Sequence, residues 1–346
     1  MKRFVNKTIS FFIVGLLVGI VGASVMFSFV ARNSPRTTDH SARVLRVAHV
    51  LPTSHPVHRG IEFMAQRADE LSRGRLKLEI FPSEQLGSEV QCLEQVQAGT
   101  LAITKVGAGA IGNFVATYKV FGLPYLFRDD DHYWKILDGS FAQELLTLLG
   151  TADDGQSSGL RGLCFYDAGS RNFYTKEPVR TPQDLKGKKI RTNNDPVAME
   201  LVQALGGSAT PIPWGELYTA LQQRVVDGAE NNPPSYLASR HYEVCKYFTL
   251  NHHTRVPDVM IISAKIWERL SPEEQGWLQQ AADESSDFQR KLWGEETDKA
   301  LEELKKAGVE IFEVDAEPFR AATQSVLAKY GQGQIGGLVR RIQETR

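Results

Sequence analysis

Apolar residues along the chain switch between two spacings. Val44-Leu45-Arg46-Val47-Ala48 and the alternating Leu76-Lys77-Leu78-Glu79-Ile80 predict strands. Between them, Ile61, Met64, Ala65, Ala68 and Leu71 recur at the three-and-four spacing of one helix face, predicting a helix over Gly60 to Leu71. Ser88 is placed to cap a helix running to about Ala98, and Leu101 to Val106 predicts a third strand. Strand, helix and strand in alternation imply an α/β lobe.

A second lobe is expected after Phe165. Thr181 to Leu185 opens a short turn, Lys189-Ile190-Arg191 predicts a strand, and Asp195 to Leu205 a helix closed by Gly206-Gly207. Glu216 to Gln223 predicts another helix, Val225 to Ala229 a strand, and Val259 to Ser263 a strand returning to the first lobe. From Pro272 to about Lys306 the pattern stays helical with no internal proline, longer than an ordinary globular helix and long enough to cross both lobes. The fold class expected is α/β, two-lobed, with a hinge and a buried ligand between the lobes.

The start of the chain sets the compartment. Lys2, Arg3 and Lys7 precede an uncharged apolar run from Ile9 to Val30, the pattern of an export signal. The run is also long enough to span a bilayer, so a cleaved signal and an uncleaved anchor both remain open. Residues 1–31 are read as this segment and 32–43 as a tether. Residues 44–168 with 257–296 form the first lobe, and 169–256 with 297–335 the second.

Lys+Arg number 40 against Asp+Glu 41 in 346 residues, so no basic excess points to nucleic acid, and an anion site must be built from locally placed arginines. Cys92, Cys164 and Cys245 are widely spaced and read as buried small hydrophobes, one disulfide with a free thiol being the alternative. His49, His55 and His58 match no metal-ligand spacing and read as solvated loop histidines. No nucleophile elbow, zincin motif, P-loop or dinucleotide fingerprint stands in its structural context. A monomer without cofactor or metal is expected.

Arg191 ends a strand, and ligands of open α/β sheets lie at strand ends. Its guanidinium offers two parallel N–H donors that match a carboxylate. Arg171 follows the flexible Asp167-Ala168-Gly169-Ser170 turn. For both, a structural ion pair is the alternative. Trp214 opens a helix after Pro211-Ile212-Pro213, either as an apolar wall or as core. Asn231 stands before two prolines as a loop ligand or an Asx turn. Glu89 sits in a first helical turn, where it favours the helix dipole or accepts from ligand hydroxyls. Asp195 with Glu230 is the one carboxylate pair that an exported enzyme acting on acidic sugars would require.

Several segments, taken in order, resemble the solute-binding proteins of tripartite ATP-independent periplasmic (TRAP) transporters. They are Phe81 to Gly87, Gly122 to Tyr125, Gly169 to Thr175, Asp184 to Arg191, Leu217 to Gln222, Val226 to Asn231 and Tyr242 to Val244. The resemblance implies a two-lobed binding protein that hands a carboxylate ligand to TRAP membrane permease subunits. It also implies that Arg191 is the principal carboxylate ligand and Arg171 the second arginine, and that Trp214, Asn231, Asn194 and Glu89 contact the rest of the ligand. Gly107 and Ala110 stand where sialic acid binders of the family carry charge, which disfavours that ligand. An acidic Glu89 welcomes hydroxyls and repels a second carboxylate, so a hexuronate or related sugar acid is expected over a C4-dicarboxylate.

Overall fold

The computed structural model describes residues 42–345. The export segment and most of the tether lie outside the described residues, and among those described no helix is long and apolar enough to cross a membrane.

Two sheets form two lobes. The first contains β1 (Arg43–Ala48), β2 (Leu76–Phe81), β3 (Ile103–Gly107), β4 (Leu160–Tyr166) and β10 (Asp258–Ser263), in the order β2-β1-β3-β10-β4. The second contains β5 (Arg171–Thr175), β6 (Lys189–Thr192), β7 (Ser208–Pro211), β8 (Gly228–Asn231), β9 (Tyr247–Thr254) and β11 (Glu310–Glu313), in the order β11-β9-β5-β8-β6-β7. The chain passes from β4 into the second lobe through Asp167–Ser170 and returns between β9 and β10, so β10 lies in the first sheet as its apolar run predicts.

The helix Pro272–Lys306 is capped by Ser271 and Glu274, each bonding the other's backbone N–H. At roughly 1.5 Å per residue it is about 50 Å long, enough to serve both lobes. Leu278, Ala281, Ala282 and Trp293 pack into the core of the first lobe, and Leu304 into that of the second. Midway, Gln289 grips the first crossing: its Nε2 donates to Asp167 O and its Oε1 accepts from Asp167 N, both at 2.8 Å. Gly169 completes the crossing with φ of +58°, and a side chain there would also meet the Trp293 indole. Near the end of the chain Phe319 joins the second lobe, whereas Val326, Leu338, Val339 and Ile342 pack against the first.

Two expectations need correction. The strand expected at Val225 to Ala229 begins only at Gly228. The preceding helix, Trp214–Gln222, unwinds through Arg224 in the left-handed region, which leaves Val225 exposed. Pairing starts at Gly228, where an added Cβ would stand 2.5 Å from Tyr174 O. The three histidines are not solvated: His49, His55 and His58 are all buried. His49 Nε2 meets His58 Nδ1 at 2.9 Å, and Leu51 N donates to His49 Nδ1. The cysteines are free and buried, as their apolar surroundings predict.

Candidate functional site

Sheet topology brings the candidate residues to one end of the second lobe. β6 and β8 run parallel and β5 antiparallel to β8. The C-terminal ends of β6 and β8 and the N-terminal end of β5 therefore lie together, carrying Arg191, Asn231 and Arg171. These three line one pocket of about 570 Å³ with Trp214 and Glu89.

The two arginines differ in electrostatic state. Arg171 Nε and Nη2 hold the two oxygens of Glu230, Nη2 also reaches Glu230 O at 2.9 Å, and Nη1 donates to Asn231 Oδ1 at 3.1 Å. Burial pushes the Glu230 carboxyl up, but the Arg171 guanidinium outweighs it and holds Glu230 at about 2. Arg191 is only 3% exposed, yet it forms no ion pair with any described residue. Its Nε donates to Ile212 O at 2.8 Å, and its guanidinium carbon lies 5.6 Å from the Trp214 ring centroid. Burial lowers its pKa below the usual arginine value. Among the described residues its Nη donors find no acceptor, and the side chain lines the pocket.

Trp214 packs against His241 at 5.0 Å between ring centroids and forms a wall of both this pocket and an adjoining outer one of about 850 Å³. Asn193, rather than Asn194, reaches the inner pocket; Asn194 is exposed, borders the outer one, and its carbonyl accepts from Asn113 Nδ2 at 2.7 Å. Glu89 stands at the first position of the helix Glu89–Ala98, capped by Ser88. It is not an isolated anion: Gly107 N donates to its Oε1 at 3.0 Å and Lys105 Nζ at 3.3 Å.

Sequence reasoning misses Lys105, Asp258, Asn193, His55, Ser235 and Trp293, all of which line the inner pocket. A lone lysine inside the apolar stretch Leu101 to Val106 is the signal that could have marked Lys105. The acidic pair considered for an enzyme is occupied otherwise. Asp195 caps the helix Pro196–Ala204 by accepting from Val197 N and Ala198 N, and Glu230 is held by Arg171. Among the described residues no cluster of three or more metal-ligating side chains occurs.

Contacts cross the cleft. His55 Nε2 and Ser235 Oγ are 3.0 Å apart, Glu84 Oε1 accepts from Gly215 N at 2.9 Å, and Asn232 Nδ2 donates to Ala168 O at 2.9 Å. Glu84 lies in a loop with φ of +60° and caps the start of the Trp214–Gln222 helix from the opposite lobe.

Two α/β lobes joined by hinge crossings, with a buried unpaired guanidinium between them, define a binding protein for a small anion. The model of the bacterial extracellular solute-binding proteins, family 7, matches residues 47–333, and the chain belongs to that family. A TRAP periplasmic solute-binding protein from Pseudomonas putida F1, solved with bound D-glucuronate, is 38% identical, with a TM-score of 0.84 over 88% of this chain and 98% of that one. One from Xanthobacter autotrophicus Py2 with bound β-D-galacturonate is 35% identical, with a TM-score of 0.83 over 87% of this chain and 100% of that one. The C4-dicarboxylate-binding periplasmic protein DctP of Rhodobacter capsulatus is 30% identical over 91% of each chain.

Proposed function

We propose that this protein captures a hexuronate such as glucuronate or galacturonate outside the cytoplasm and delivers it, chemically unchanged, to the membrane permease of a TRAP transporter. The observation that carries this reading is Arg191: a buried guanidinium that lines the pocket and has no counter-ion among the described residues. Burying a charge unpaired is costly, and an incoming carboxylate removes that cost. Arg171, already held by Glu230, supplies a fixed second positive edge, and Trp214 an apolar wall for the sugar ring. Asn231, Asn193 and Glu89 face the hydroxyls, with Asn194 at the outer rim. The glucuronate and galacturonate held by the solved relatives support this ligand class. The lobes, 44–168 with 257–296 and 169–256 with 297–335, close over the ligand, and the N-terminal apolar run exports the chain or anchors it outside.

A thermal-shift and calorimetric series with glucuronate, galacturonate, succinate and malate tests this reading, since a ligand that binds only the folded state raises its apparent stability. Uronates are expected to bind and the dicarboxylates to bind far more weakly. Tight succinate or malate binding without uronate binding would replace the reading with that of a C4-dicarboxylate carrier, the function named for the Rhodobacter relative.

A further inference from the structure

The first lobe adds a feature to the pocket that capture of a single carboxylate does not use. Lys105 rises from the middle of β3, between Thr104 and Val106, which are themselves buried. Its Nζ donates to Asp258 Oδ1 at 3.1 Å and to Glu89 Oε1 at 3.3 Å. All three side chains line the inner pocket with Arg191. Exposure falls in order from Glu89 at 19% through Asp258 at 10% to Lys105 at 5%. Both carboxylates are thus more exposed than the ammonium they hold. Burial pushes the lysine towards its neutral form, but Asp258 and Glu89 outweigh it and keep Lys105 protonated.

The pocket thus holds three cationic side chains, each with a different status. Among the described residues Arg191 has no acid, Arg171 has one, and Lys105 has two. We propose that Lys105 is a second carboxylate site masked by Glu89 and Asp258, and that this masking restricts the protein to acids with one carboxylate. The inference rests on the uronate reading above. A hexuronate closes into a pyranose through C1, whereas the aldarate of the same carbon skeleton stays open-chain and carries a second carboxylate at C1, the end remote from the shared one. With the ring carboxylate on Arg191, a hydroxyl at the far end donates to Glu89 or Asp258. A carboxylate there has no proton to donate and faces a cluster whose two acids outnumber its one ammonium, all at largely buried positions. Neutralising the two acids without changing their shape removes the repulsion, and a ligand carboxylate that then reaches Lys105 takes over their part in holding it protonated, so the same wall accepts what it repelled.

The test is calorimetry of galacturonate and galactarate binding to the natural protein, to Glu89→Gln and to the double variant Glu89→Gln/Asp258→Asn. The natural protein is expected to prefer galacturonate by at least about 100-fold, and the double variant to bind galactarate at least about tenfold more tightly than the natural protein does. Glu89→Gln alone, at the most exposed of the three positions, should show the same change at about fivefold or more. It decides the matter if the double variant does not fold. A natural protein that binds both acids equally, or folded variants with no gain for galactarate, would overturn the masking and leave the uronate reading standing. A natural protein that binds no uronate, with variants that still gain galactarate, would overturn the uronate reading and keep the masking. Absence of both effects would overturn both.

Discussion

Arg171 and Arg191 enter one pocket from strands that flank β8, yet Glu230 on β8 neutralises only the first. The sheet order explains the difference. Glu230 pairs in register with Phe173 of β5, which puts its carboxylate within reach of Arg171, while Arg191 finds only the Ile212 carbonyl and the face of Trp214. One guanidinium is a fixture and the other has no acidic partner among the described residues.

Replacing Arg191 should therefore separate binding from stability. Arg191→Ala is expected to weaken uronate binding by about 2–5 kcal/mol, and Arg191→Lys to bind poorly because the planar fork is lost. Arg191→Met, which keeps volume and removes an unpaired buried charge, should raise the melting temperature of the ligand-free protein while abolishing the ligand-induced shift. Calorimetry and thermal unfolding with and without glucuronate check all three. Normal acid binding by the Ala and Lys variants would remove Arg191 as the anchor.

Glu230→Gln should behave in the opposite way. It strips the partner from a buried Arg171, and breaking such a pair costs about 3–5 kcal/mol of folding stability. Urea unfolding of the ligand-free variant should show this loss, with added uronate recovering part of it. A variant as stable as the natural protein would mean that Arg171 is not held by Glu230.

Much of this arrangement was legible in the sequence, and the missing parts share a cause. Arg191 at a strand end, the Gly169–Arg171 turn and the uninterrupted helix from Pro272 are local patterns, and local patterns survive in a linear reading. Partners distant in the chain do not. Glu230 belongs to Arg171, Asp258 to Lys105, and Ser235 to His55, each bond joining segments far apart in sequence. Hence His55 looked like a solvated loop residue and Glu89 like a lone anion. Asn193 and Asn194 differ only in which way the chain turns after Thr192, a matter of backbone direction that composition does not encode.

The buried histidines make an acid-sensitive contribution to folding, opposed between about pH 6 and pH 4 by Asp167 and Asp195, which burial raises to about 6. Burial lowers His49 and His241 from 6.5 to about 3, so both stay neutral in the folded state while the unfolded chain takes up protons below pH 6.5. At these two sites the unfolded state binds more protons in that window, so their contribution to stability falls as pH falls from 6.5 towards 3 and is flat above it. Each histidine contributes up to about 1.4 kcal/mol per pH unit. Compared by urea unfolding at a series of pH values, His241→Gln should reduce proton uptake on unfolding by about one relative to the natural protein between pH 6 and pH 4. An unchanged slope would mean that His241 already titrates in the folded protein.

Closure can be tested at the contact between Glu84 and Gly215. Glu84 sits on the first lobe and accepts from the first turn of the Trp214–Gln222 helix on the second, the helix that also presents Trp214 to the pocket. Glycine at 215 allows this approach: an added Cβ would lie 2.3 Å from Glu84 Oε2. Gly215→Ala therefore pushes the carboxylate away and breaks the contact, although alanine itself suits a helix better than glycine by about 1 kcal/mol. Glu84→Gln keeps the shape but loses the charge-assisted bond, worth about 1–2 kcal/mol. Both variants should bind uronates several-fold more weakly through faster release, with folding stability unchanged or, for Gly215→Ala, raised. Stopped-flow release of glucuronate and small-angle scattering of the liganded protein measure the two sides of this expectation. Unchanged release rates and an unchanged radius of gyration in both variants would show that the lobes close without Glu84.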